Sequence, residues 1–280
     1  MRLVLLITLT MIAFAANSVL NRLALEAGSV TPAAFAAIRL LAGALTLSAL
    51  LMARGRAARL VPASVVGPAS LLVYVLGFSF AYVTLDAGAG ALFLFGGVQV
   101  TMFVSAVLSG ERIAPQKWAG AGLAFAGLCY LMWPSGGAPV AISGALMMFA
   151  AAVGWGIYSL VGRGAQDPLQ QTAVNFLWAS PIATLVWLVL PEWPSLTGWG
   201  LAVLSGAVTS GLGYALWYRV LPEISASTAA VAQLTVPILA VVGGVMFLGE
   251  AATVQVLVAA AMVLGGVALS LYRKSGSSAS

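Results

Sequence analysis

Residues 87–111 read AGAGALFLFGGVQVTMFVSAVLSGE, and residues 237–250 read PILAVVGGVMFLGE. The first stretch runs from Ala87 to Leu108 without a charge before reaching Gly110-Glu111. That is long enough to cross the hydrocarbon core of a bilayer as one helix. The second stretch ends on the same pair, Gly249-Glu250, and 250 minus 111 is 139. At this offset Gln116 matches Gln255, Ala121 matches Ala260 and Gly127 matches Gly266. Leu76-Gly77 with Tyr82 also matches Leu212-Gly213 with Tyr218, and Ser18 with Arg22 matches Ser159 with Arg163. The matches keep one order along the chain, which points to an internal duplication.

The remainder of the chain has the same character. Over 280 residues, 62% are apolar and 7% charged, against roughly a quarter charged in soluble domains. Ten apolar runs are expected to span: Leu3–Leu23, Pro32–Ala53, Pro62–Leu85, Ala87–Leu108, Ala114–Trp133, Val140–Val161, Gln171–Leu190, Leu196–Val220, Ile224–Leu248 and Ala251–Tyr272. The expected architecture is an all-α membrane protein with ten transmembrane helices. Residues 1–136 form one five-helix repeat, residues 137–272 a second, and residues 273–280 a disordered Gly/Ser-rich tail. Five is odd, so the second repeat enters the membrane inverted, as in many secondary transporters. Arg2 and Ala13-Phe14-Ala15 have the outline of a cleavable signal peptide. Reading the first run as a span keeps the repeat whole.

Basic residues set the orientation. With the N-terminus in the cytoplasm, Arg2, Arg54, Arg56, Arg59, Arg112, Lys117, Arg163, Arg219, Arg273 and Lys274 lie inside. Arg22 alone lies outside, with Glu26, Asp86, Glu192 and Glu250. Both termini are therefore expected in the cytoplasm of a bacterium, the protein sitting in its inner membrane. The net charge of +5 is spread over short loops, which argues for lipid rather than nucleic acid as the partner.

Two five-helix halves, each closing on Gly-Glu and a glycine-bearing last helix, resemble the drug/metabolite transporter superfamily, and in particular its EamA-type exporters. The Ala37-Ile38-Arg39-Leu40-Leu41-Ala42 stretch is similar to that family's first half. In length and aromatic content the chain looks closest to bacterial aromatic amino-acid exporters of the YddG type. The resemblance implies export of a small molecule, an amino acid above all. Many members have a tryptophan where this chain has Phe14; its counterpart in the sixth run is Trp155.

Helix breaks at matching places mark transport sites. Gly96-Gly97 and Pro237, the repeat partner of Val98, are read as such breaks, because proline removes a backbone donor and paired glycines loosen a helix. Amides and aromatics gather near them. The expected substrate cavity is walled by Asn17, Phe78, Tyr82, Phe95, Gln99, Trp155, Tyr158, Tyr214, Trp217 and Gln233. Each could equally be ordinary core or interhelical glue. Arg39 is the one charge well inside a run, read first as structural, with snorkelling and contact to a substrate carboxylate as alternatives. Cys129 is expected to be a buried thiol. Gly120, Gly122, Gly127, Gly265 and Gly266 are expected to pack helices, within the chain or at a dimer face.

No histidine and no mid-span acid is available, so no metal or other cofactor is expected. Membrane hydrolases and transferases need such clusters, which excludes an enzyme. Phosphorylated substrates need several basic groups in the pore, and Arg39 alone is a poor set. The absence of an intramembrane acid or histidine points to uniport. A drug or cation exporter with proton coupling and a non-transporting assembly subunit are the alternatives.

Overall fold

The computed structural model describes residues 1–58, 64–110, 113–133, 141–162, 165–189, 191–224, 229 and 232–271. Glu111, Arg112, Arg163 and the expected disordered tail 273–280 lie outside the described residues. Helices follow the apolar runs: α1 Arg2–Glu26, α2 Pro32–Met52, α3 Val66–Ala81, α4 Ala87–Leu108, α5 Pro115–Met132, α6 Ile142–Gly162 and α7 Pro168–Val189. The next run is α8 Leu196–Leu204, a π-helical stretch Ser205–Leu212 and α9 Gly213–Val220. Then come α10 Thr235–Gly243, extended as a π-helix over Gly244–Leu248, and α11 Val254–Leu271. There is no strand among the described residues.

Six of these helical runs are long and apolar enough by themselves to cross a membrane. The surface fits that solvent. Leu45, Leu185, Met246 and Phe247 project outward, while the amides Asn17 and Asn21 and the hydroxyls Ser79 and Ser210 are buried. An apolar outer surface over an apolar core that also holds several polar side chains suits a lipid solvent.

Local chemistry explains the ends. Thr31 caps α2 by accepting from Ala34 N–H at 3.3 Å, with Pro32 at the first helical position. Ser195 does the same for α8, accepting from Gly198 N–H at 3.1 Å. Gly110 and Gly249 both sit at left-handed φ, 72° and 67°. A side chain there would be strained, which is why glycine precedes each glutamate of the Gly-Glu pairs.

Small residues set the closest helix crossings. A Cβ on Gly154 of α6 would lie 2.7 Å from the Ser70 carbonyl and the Tyr74 nitrogen of α3. A Cβ on Gly266 of α11 would lie 2.6 Å from the Ala124 nitrogen of α5. Gly120, Gly127 and Gly266 thus join α5 to α11 inside the chain, whereas Gly122 and Gly265 face open space.

Two expectations need correction. Cys129 is exposed, on the outer side of α5, where a small, weakly polar side chain is compatible with lipid. Gly96-Gly97 does not break α4, which passes through them as a regular α-helix. Gly97 instead lets Ala152 of α6 approach, and Gly96 lets Leu128 of α5 approach. Near Pro237 the chain is interrupted: helical residues 232–233 are parted from α10 by a turn at Leu234, and Pro237 sits in the first turn that follows, where a missing N–H is tolerated. A second irregular stretch, the π-helix of Ser205–Leu212, carries no proline.

Candidate functional site

A cavity lies among α1, α3, α4, α6, the π-helical stretch and α9. Phe14, Asn17, Ser18, Tyr74, Phe78, Leu94, Phe95, Trp155, Thr209 and Tyr214 line about 330 Å³ of space between atoms. The free room admits no more than about one water molecule, because the rings fill it.

Trp155 is the hub. Its ring centroid lies 4.9 Å from Tyr74, 5.2 Å from Tyr214, 5.7 Å from Tyr158 and 6.2 Å from Phe14. Phe14 also meets Tyr214 and Trp217 edge-on at 5.9 and 6.0 Å. Opposed edges and faces of this kind satisfy the ring quadrupoles. The polar side comes from α1 and the π-helical stretch: Asn17 Oδ1 accepts from Ser205 Oγ at 2.6 Å and Thr209 Oγ1 at 3.1 Å. A π-helical turn inserts an extra residue, as often occurs at functional sites, and here the stretch carries Ser205, Thr209 and Ser210. Gly206 within it leaves room for the Arg39 backbone of α2, 2.9 Å from where a Cβ would sit.

Contacts run from this cage toward both ends of the bundle. In one direction Phe78 meets Tyr82 at 4.7 Å. The Tyr82 and Val83 carbonyls then accept from Arg22, each at 3.2 Å. Arg22 lies 3.6 to 3.7 Å from Glu26, Asp86 and Glu250. Burial pushes the Glu250 carboxyl up, aided by the Asp86 charge and opposed by Ala87 N–H and Arg22, and the net direction is upward. In the other direction Tyr158 and Tyr218 border a second, smaller space of about 160 Å³ with Thr172, Asn175 and Gln171. Pro168 and Ala165 close it, beside the Arg56–Asp167 ion pair. Burial raises the Asp167 carboxyl, but hydrogen bonds from Arg56 and Gln170 N–H outweigh it and hold the carboxyl below its ordinary range.

Of the residues expected at the site, Asn17, Phe78, Phe95, Trp155 and Tyr214 meet around the one cavity. Trp217 and Tyr82 stand directly behind its rings, and Tyr158 belongs to both spaces through its stacking on Trp155. Gln99 and Gln233 are half-buried and do not line it. The expected site left out five lining residues, Phe14, Ser18, Tyr74, Leu94 and Thr209. The signal was present for two of them, since Phe14, Asn17 and Ser18 share one helix face at spacings of three and four. Among the described residues no group of His, Cys, Asp or Glu could hold a metal ion.

An apolar helical bundle with a ring-lined central chamber and charged clusters toward each end fits a membrane carrier. The profile of the EamA-like transporter family matches residues 1–133 and 142–272, and the chain belongs to that family, whose members are multi-pass membrane transporters, not enzymes. A Pseudomonas aeruginosa protein named "Uncharacterized protein PA1977" is 46% identical over 280 residues, covering 99% of this chain and 97% of its own. The aromatic amino acid exporter YddG of Ancylobacter novellus is 26% identical over 190 residues, 65% of this chain and 66% of its own. One crystal structure superposes with a TM-score of 0.67 at 25% identity, covering 94% of this chain and 97% of the other.

Proposed function

We propose that the protein exports amino acids, or related small amphipathic metabolites, across the bacterial inner membrane by alternating access. The observation that carries this reading is the chamber itself: rings to take an apolar side chain, and an amide with hydroxyls to orient a polar head. The name of the Ancylobacter relative agrees with it. In the described state the rings leave room for about one water, so on this reading substrate enters when helices part.

The moving bodies are two inverted five-helix halves, residues 1–136 and 137–272. Reciprocal packing supports this. The first helix of each half lies against the third run of the other: α1 on α8–α9, and α6 on α3. The fifth helices, α5 and α11, pack on one another. Both termini are assigned to the cytoplasm. In agreement, Arg22, Glu26, Asp86 and Glu250 gather together, while Arg56 pairs with Asp167. Transport is uniport, with direction set by the substrate gradient. Proton coupling is the second reading, favoured by the half-buried Glu250 and its upward-shifted carboxyl.

Counterflow in proteoliposomes, run against a panel of amino acids, tests the proposal. Trans-stimulated uptake of at least one amino acid is expected, unaffected by a protonophore. Failure of the whole panel would overturn the amino-acid reading. Protonophore-sensitive accumulation would replace uniport by coupling.

A further inference from the structure

Among the described residues Arg39 is the largest fully buried side chain, 1% exposed. Its Nε–H donates to Ser210 Oγ at 2.9 Å and its Nη2–H to the Tyr74 hydroxyl at 3.0 Å. The guanidinium lies 5.2 Å from the centroid of the Tyr74 ring and 5.1 Å from that of Phe78. None of these partners is a carboxylate. No ion pair among the described residues includes Arg39, and its Nη1 is buried without a partner. The Tyr214 hydroxyl, buried within reach of the same guanidinium and of the Tyr74 hydroxyl, makes no hydrogen bond of good geometry to either.

Arg22 shows what a structural arginine does in this chain. It donates to two backbone carbonyls and lies among three carboxylates. Arg39 has neither kind of partner, although it stays charged and a buried charge without a counter-ion is costly in hydrocarbon. The missing anion can come from the cavity, because Tyr74, Phe78 and Tyr214 are themselves cavity walls.

We propose that Arg39, Tyr74 and Tyr214 form the carboxylate subsite of the chamber. Nη1–H and the Tyr214 hydroxyl donate to the two carboxylate oxygens. The Tyr74 hydroxyl, already accepting from Nη2, keeps its own proton to give. The substrate therefore carries a free carboxylate, with its apolar portion held among Phe14, Trp155 and Phe95. This deepens the transport reading of the cavity and rests on it.

Thermal unfolding of the purified protein with phenylacetate, phenylacetamide, phenethylamine or chloride tests the subsite. Phenylacetate is expected to stabilise at concentrations about tenfold or more below phenylacetamide, the scale of one lost charged hydrogen bond. Arg39→Gln removes that preference and Arg39→Lys keeps part of it. Should Arg39→Gln fail to fold, the acid and amide still decide on the unaltered protein. Equal stabilisation by acid and amide, tighter binding of the amine, or no shift with phenylacetate would overturn the proposal. Chloride matching phenylacetate would overturn it too, by identifying a structural anion site. Carboxylate binding without counterflow of any amino acid would overturn the transport reading and leave the subsite standing.

Discussion

The carboxylate of Glu250 accepts the Ala87 N–H through both oxygens, at 2.8 and 3.0 Å. Glu250 follows the left-handed Gly249 near the C-terminal end of the chain, and Ala87 opens α4. One half of the sequence thus caps a helix of the other, where a negative charge suits the helix N-terminus. Removing the acceptor by Glu250→Ala is expected to cost about 1 kcal/mol. Glu250→Gln keeps an oxygen in place and is expected to cost less. Thermal unfolding of the two variants compares them, and equal loss would argue against the cap.

The same carboxyl predicts a pH dependence. Its pKa is raised in the folded protein above the ordinary 4.5, so the native state holds the proton more tightly than the unfolded chain. The contribution is present below the ordinary value and is lost as pH rises through the raised one. Relative to Glu250→Gln, the unaltered protein should lose stability across that window and then level off. Melting temperatures measured against pH for both proteins check this, and parallel curves would reassign the titration.

Trp155 touches more cage rings than any other side chain described here. Trp155→Ala is expected to lower counterflow about tenfold or more, given the worth of several ring contacts, with membrane insertion intact. Trp155→Phe should recover part of it. Gln99→Ala should transport like the unaltered protein, since Gln99 stands outside the chamber.

The α5–α11 contact offers a control away from the chamber. Gly266→Leu would drive carbon atoms into the Gly120 carbonyl and the Ala124 nitrogen, backbone that has nowhere to go. A cost of about 1–3 kcal/mol or more is expected. Gly122→Ala points into open space and should unfold as before. Equal stability of both variants would show that the helices do not approach this closely.

Orientation is checked by reporter fusions at Ser280 and within residues 135–138. The cytoplasmic reporter should be active at Ser280, and the periplasmic one within 135–138. The opposite result would overturn the inverted halves together with the charge argument.

Hydropathy made the helices legible because lipid imposes a simple rule: every backbone polar group is paired within its own run. The fourth run, Ala87–Leu108, coincides with α4 to the residue. The site was legible where composition is unusual, at Asn17, Trp155 and Tyr214. It was not legible where geometry follows hydrogen-bond register. Nothing in SGAVTSGL, residues 205–212, announces a π-helix, and Gly96-Gly97 looks like a break but serves as a close-packing surface. Arg39 was read as structural because a sequence shows a charge without showing whether an anion faces it.

The chamber between substrates has room for about one water, and its rings rest on each other. A file of waters long enough to pass protons by hopping therefore has no place to form. A carrier that kept this packing while changing sides would leave the membrane potential intact. The aromatic residues that would recognise cargo also act as the stopper, so enlarging the chamber by trimming them would trade cargo range against leak.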